Sequence, residues 1–192
     1  MHYIWDEMNR PSSMKTVTET ERLILREFTT DDAPFIYRLP NTPGWPRFTG
    51  NRHIHDVESA SQYPDRAPMS SYRTPDFGLW AVVLKDTGIP VGMCGLPERD
   101  FPDAPDIGFA LLPEFGGTGH AYELAMAAMD HSPREWGISR IVAIVSKDHV
   151  RSVRLSEQPG MAYKGTVSCP VEDEPPLLPA DRPVIHTKTI HP

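Results

Sequence analysis

At 192 residues the chain is long enough for one domain with a substantial core. Its formal charge of −7, with basic residues scattered along the chain, argues against a nucleic-acid-binding surface. Two cysteines, Cys94 and Cys169, are too few for a disulfide framework, and neither a signal-peptide core nor a run of about 18 apolar residues is present. A cytoplasmic protein without a membrane segment is therefore expected.

In chain order, residues 1–18 read as an irregular extension and 19–192 as one domain. "TERLILREFTTDD" alternates Leu23 and Leu25 against Arg22 and Arg26, which predicts a strand. Thr30 and Asp31 then offer an N-cap for a helix that tolerates Pro34 in its first turn. The stretch 41–76 carries repeated prolines and at most one short helix around "VESASQY". "FGLWAVVLK" and "PVGMCGLPE" predict a hairpin across "DTGI", and "DIGFALL" (106–112) a third strand. A glycine-rich stretch, "EFGGTGH", leads into the helical pattern "AYELAMAAMDHS", where Met126 and Met129 read as core positions. "RIVAIVS" predicts a buried strand and "VRSVRLSEQ" a short helix closed at Gly160. "MAYKGTVSC" and "PVIHTKTI" predict a final strand pair, an edge through which two copies could pair as a homodimer. The chain holds 21 prolines, about twice ordinary usage. Pro133 is expected to end the long helix at Ser132, Pro159 to disturb the last helix, and Pro64 and Pro68 to shorten the helix of the 41–76 stretch.

Strand, glycines, helix is an arrangement that binds anions, because the first amides of a helix lack intrahelical acceptors and the helix dipole favours negative charge. A P-loop would need Gly-Lys-Ser/Thr, and Thr118-Gly119-His120 has no lysine. A dinucleotide fingerprint needs a third glycine, and "GTGHAY" has Tyr122 there.

Five fragments in order, "TERLILREFTTDD", "PGWPRFTGNR", "GLWAVVLKDTGIPVGMCGL", "DIGFALLPEFGGTGHAYE" and "RIVAIVSKDHVRSVRLSEQPGM", resemble the GNAT N-acetyltransferases, in the branch of the ribosomal-protein alanine acetyltransferases (RimJ/RimL-like). The likeness covers about residues 19–167. It implies an α/β (α+β) fold with a mixed, mostly antiparallel central sheet, flanked by helices and splayed in the middle. It also implies acetyl-CoA as co-substrate, no metal, and a primary amine as acceptor, either a protein N-terminus or a small amine.

The family's pyrophosphate loop falls on Gly116, Gly117, Thr118, Gly119, His120 and Ala121. Gly119 and Ala121 match the pattern. Gly116 replaces the usual Gln, Arg or aromatic residue, and Thr118 a frequent basic residue, so weaker phosphate binding is implied. Splayed strands would let pantetheine bond to backbone near Leu111 and Leu112. The first candidate for general base is Asp106, where relatives often carry Glu, with Glu98 and Asp100 as alternatives. The family's acid tyrosine falls on Ser156, so it is not carried over. The branch's Asn-x-x-Ser motif falls on His149 to Ser152, which puts His149 and Ser152 near the cofactor and makes Ser152 a second catalytic candidate. Trp45 and Phe48 fall in the segment that lines the acceptor site. His53 and His55 with Asp56 lack a distant partner, and no metal site is expected there.

An α-amine, with pKa near 8, is about ten per cent neutral at pH 7, and a lysine, near 10.4, below about 0.1 per cent. A site without a strong base suits the α-amine. The departures at Gly116, His149 and Ser156, with the helix prolines, motivate a second expectation: a weak or inactive relative that binds CoA or a protein partner.

Overall fold

The computed structural model describes residues 15–42, 78–96, 104–166 and, as backbone, 184–189. Sheet order is β1-β2-β3-β4-β5 in a five-stranded antiparallel sheet and β6-β8-β7 in a three-stranded one. The strands are β1 Thr16–Glu19, β2 Leu23–Arg26, β3 Leu79–Leu84, β4 Pro90–Gly95, β5 Gly108–Leu111, β6 Arg140–Val145, β7 Ala162–Thr166 and β8 Val184–Thr189. The helices are α1 Ala33–Arg38, α2 His120–Trp136 and α3 Val150–Glu157.

Alternation in β2 and β3 divides the core between two faces. Leu23, Leu25, Trp80 and Val82 pack with Leu124, Ala125, Ala128 and Met129 of α2. Ala81 packs on the other face with Phe35 and Ile36 of α1, beside Leu39 and Met93. Gly95 permits a close strand crossing, since a Cβ there would lie 1.8 Å from the Gly78 carbonyl oxygen.

Among the described residues the expected elements are present, with four differences; the short helix expected around "VESASQY" lies outside them. β1 is a strand inside the stretch read as an extension, paired antiparallel with β2 across an irregular register. Helix α2 runs through Pro133 to Trp136 and does not stop at Ser132. Proline removes only its own N–H, and the final turn is closed by Gly137 in the left-handed conformation (φ 65°), whose N–H donates to the Pro133 carbonyl. Pro159 lies beyond the last residue of α3 and leaves its hydrogen bonds intact. Of the two methionines assigned to the core, Met129 is 2 % exposed, whereas Met126 is half-buried and lines a groove of about 690 Å³ between α2 and β1. Pro64 and Pro68 lie outside the described residues.

α1 begins with a capping box between Thr29 and Asp32 on a short 3-10 turn, one residue earlier than the sequence suggested. Asp32 accepts two 2.7 Å bonds from the Arg26 guanidinium of β2 and one from the Thr29 N–H, and is 4 % exposed. Asp32→Ala would strip a nearly buried Arg26 of its partner, and a loss of about 3 kcal/mol is expected in a urea melt.

Candidate active site

β5 and β6 are parallel neighbours joined by α2, and they meet at one bridge, Asp106 to Val142. There the Ile107 N–H donates to the Val142 carbonyl (2.8 Å), and the Val142 N–H to the Pro105 carbonyl (3.0 Å). Among the described residues, β5 beyond that point pairs only with β4, and β6 with β8. Burial follows the separation: Ile141, Val142 and Ala143 are buried, whereas Ile144, Val145 and all of β5 are only half-buried. The two strands form a V that opens toward their C-terminal ends. The glycine loop follows β5 at that end, and α3 follows β6. Crevices at the carboxyl ends of parallel strands, where neighbouring connections diverge, are the preferred ligand sites of α/β sheets.

The backbone along β5 alternates between β4 and the opening. The Leu112 N–H donates to the Val91 carbonyl on the β4 side (2.9 Å), so 112 and, by antiparallel alternation, 110 and 108 face β4. Phe109 and Leu111 therefore turn their N–H and C=O groups into the opening. Leu112 was expected to bond the cofactor, and this is corrected: its amide is spent on Val91 and its side chain is 1 % exposed in the core. Leu111 and Phe109, the second of which sequence reasoning missed, present their backbone groups on the side away from β4. Strand alternation would have found Phe109 once the pairing with β4 was known.

The glycine loop closes on itself and leaves a row of amides free. Pro113 to Phe115 form a 3-10 turn, and the Gly116 N–H donates to the Pro113 carbonyl (3.1 Å), so Gly116 offers no amide to a ligand and its expected role is corrected. Gly117 (φ 78°) and Gly119 (φ 85°) take left-handed conformations open to glycine, and Gly119 is the N-cap of α2. The first bond of α2 runs from the Glu123 N–H to the Gly119 carbonyl. The amides of Gly117, Thr118, Gly119, His120, Ala121 and Tyr122 have no acceptor among the described residues.

Side chains brace this loop from behind. The Thr118 hydroxyl donates to the Phe115 carbonyl (2.9 Å) and lies 2.8 Å from His120 Nδ1. With the hydroxyl proton committed, His120 Nδ1–H is the donor of that second bond. The His120 ring is buried, so only its amide faces the helix mouth. Arg22 of the β1–β2 turn was not singled out from the sequence, yet its Nη1 donates to the Thr118 carbonyl at 3.0 Å. Its charge is matched by Glu123 of α2 at 2.7 Å, and Glu123 also accepts from the Thr20 hydroxyl and the Arg22 N–H. Burial alone would raise the Glu123 pKa; the Thr20 and Arg22 donors outweigh it and lower the value.

On the β6 side, His149 is the residue before α3, and its Nδ1 lies 2.9 Å from Ser152 Oγ. Partial burial, then the Arg151 charge, lower the His149 pKa below its ordinary 6.5, so the ring is mostly neutral at pH 7. Ser156 is buried and its hydroxyl donates to the Val153 carbonyl (2.7 Å), which leaves no phenol-like acid at that place. Asp106 lies at the closed end of the V, 3 % exposed, with Oδ1 accepting the Ile144 N–H at 3.1 Å. Trp45, Phe48, His53, His55, Asp56, Glu98 and Asp100 lie outside the described residues. Among the described residues no three His, Cys, Asp or Glu side chains gather to hold a metal, and no helix is long and apolar enough to cross a membrane.

This architecture has known relatives. The family model for the acetyltransferase (GNAT) domain matches residues 22–162. The N-acetyltransferase YoaA of Bacillus subtilis is 28 % identical over 158 residues, which span 80 % of this chain and 87 % of that protein. Among solved structures, an acetyltransferase from Agrobacterium tumefaciens superposes with a TM-score of 0.72 at 21 % identity, covering 94 % of this chain and 97 % of the other. RimL, a ribosomal L7/L12 α-N-protein acetyltransferase in complex with coenzyme A, superposes with a TM-score of 0.72 at 16 % identity, covering 92 % and 98 %.

The matched domain and the N-acetyltransferase relative identify an acyltransferase. The chain belongs to the GNAT acetyltransferase family.

Proposed function

We propose that the protein moves the acetyl group of acetyl-CoA to a primary amine, a protein N-terminus or a small amine, by direct attack in a ternary complex. The observation that carries this reading is the run of amides from Gly117 to Tyr122 at the mouth of a V whose wall presents backbone groups of Phe109 and Leu111, all without partners among the described residues. Such amides, at the start of a 17-residue helix, suit a pyrophosphate. Phe109 and Leu111 suit the amides of pantetheine, which would extend the sheet as an added strand. Bound acetyl-CoA supplies the activated acyl group. The chain's own part is to orient the thioester, exclude water and place donors at the developing charges.

No cationic side chain stands in the loop at Gly116 or Thr118, and Arg22 is neutralised by Glu123. Affinity therefore rests on amides and the helix dipole, which favours moderate binding. Ser152 serves the departing thiolate by donating its hydroxyl proton and regains one from His149 Nδ1, while the other nitrogen of that ring would take up the proton the attacking amine loses. Ser152→Ala is expected to lower kcat about 100-fold, at the low end of general-acid effects, while acetyl-CoA affinity stays within about threefold. A steady-state and binding comparison checks this, and an unchanged kcat would remove Ser152 from the mechanism.

RimL is described as acting on the α-amine of a ribosomal protein, and that supports an α-amine acceptor here. The decisive experiment is thiol release from acetyl-CoA with matched peptides. One has a free N-terminus and no lysine; the other has a blocked N-terminus and one lysine. Faster turnover of the first is expected; turnover of the second alone would refute the acceptor assignment.

A further inference from the structure

The parallel contact between β5 and β6 ends after a single bridge, and the group that ends it is a side chain. In the register of the two bonds at Asp106 and Val142, the next rung of a parallel ladder would carry the Ile144 N–H to the Ile107 carbonyl, and the one after it the Phe109 N–H to the Ile144 carbonyl. The Ile144 N–H instead donates to Asp106 Oδ1 at 3.1 Å. We propose that Asp106 is a positioning residue whose carboxylate takes the place of the Ile107 carbonyl as acceptor for Ile144, so that β5 and β6 part there and the cofactor slot stays open.

The geometry accounts for three separate observations. The Asp106 side-chain oxygen sits 3.1 Å from the Ile144 N–H and occupies it, so the Ile107 carbonyl has no donor to meet. Asp106 is 3 % exposed, which suits a group buried to hold a backbone amide. Half-burial begins at Ile144 on β6, where the diverted rung lies. Once that rung is diverted, the N–H groups of Phe109 and Leu111 have no strand to meet and become available to a ligand. This reading differs from the general-base role the sequence suggested for Asp106. It rests on the V being the slot for acetyl-CoA, but its test does not depend on the cofactor alone.

Two substitutions and two readouts decide it. Asp106→Asn keeps an acceptor oxygen without the charge, and Asp106→Leu removes the acceptor at similar volume. Amide hydrogen exchange of the ligand-free protein by NMR is the first readout. Ile144 is expected to be protected and Phe109 to exchange fast in the wild type and in Asp106→Asn. In Asp106→Leu the ladder is expected to close by further rungs, so Phe109 becomes protected. Calorimetric affinity for acetyl-CoA is the second readout: within about threefold of wild type for Asp106→Asn, and at least about tenfold weaker for Asp106→Leu. Turnover by Asp106→Asn is expected to stay within about threefold.

Loss of turnover in Asp106→Asn with affinity intact would make Asp106 a proton acceptor and overturn the proposal. Fast exchange at Phe109 in a folded Asp106→Leu, with wild-type affinity, would overturn it as well. Should Asp106→Leu not fold, Asp106→Asn still decides: Ile144 protection kept together with fast exchange at Phe109 supports the proposal, and protection at Phe109 or its loss at Ile144 refutes it. Should the wild type not bind acetyl-CoA, the functional assignment fails, while the exchange pattern still judges Asp106.

Discussion

Gly119→Glu is expected to abolish acetyl-CoA binding and leave the domain folded. Gly119 caps α2 with φ 85°, in the middle of the six unpaired amides. A side chain there sets out toward Arg22 Nη2, 3.4 Å from its Cβ, and fixes a carboxylate at the helix start, where the dipole stabilises it. The substitution thus supplies a fixed anion that competes with a pyrophosphate for the same helix start. A loss of more than about 100-fold in affinity, or about 2.7 kcal/mol, is expected by calorimetry. The cost to the fold is small. A left-handed conformation costs a non-glycine residue about 1 kcal/mol, and a Cβ would meet only Arg22 Nη2, at 3.4 Å. The melting temperature should drop by about 3 °C. Unchanged affinity in this variant would remove the glycine loop from the site.

Trp80→Ala carries the largest expected effect on stability, about 4 kcal/mol. The side chain is 1 % exposed on β3 and stacks on Trp136 with ring centroids 5.2 Å apart and planes 15° apart. Trp136 is the last residue of α2 and also meets His131 edge-on at 4.9 Å. The pair therefore fastens the C-terminal end of the helix to the sheet while its N-terminal end presents the amides. A shift of the urea midpoint with little change in slope is expected, since the loss is one of packing within a two-state fold. A change below about 1 kcal/mol would mean the stack contributes little to holding α2 in place.

Much of this was legible in the chain itself. Leu23 and Leu25, and the apolar runs at 79–84 and 140–145, carry the period of strands, while Leu124, Ala125, Ala128 and Met129 carry that of a helix face. The glycine loop was legible because glycine is favoured in the left-handed conformations at 117 and 119. What stayed hidden depends on contacts distant in sequence. "TVTE" has too few apolar residues to announce β1, which exists because β2 offers it an edge. Leu111 and Leu112 look equivalent until the Leu112 N–H is found on Val91. The helix outlasts Pro133 because Gly137 closes its final turn, a local effect that the proline alone did not reveal. Arg22 reads as the polar side of a strand, and only the fold brings it beside Thr118 and Glu123. The split of the sheet hangs on one bond between residues 106 and 144, which no periodicity encodes.

Isothermal titration of the protein with acetyl-CoA, with NAD as the control, tests the central claim most directly. Unpaired amides at Gly117 to Tyr122 and an open β5–β6 V predict saturable binding of acetyl-CoA in the micromolar range and none of NAD. Absence of acetyl-CoA binding, or equal binding of NAD, would contradict the assignment of this site to the cofactor of acetyl transfer.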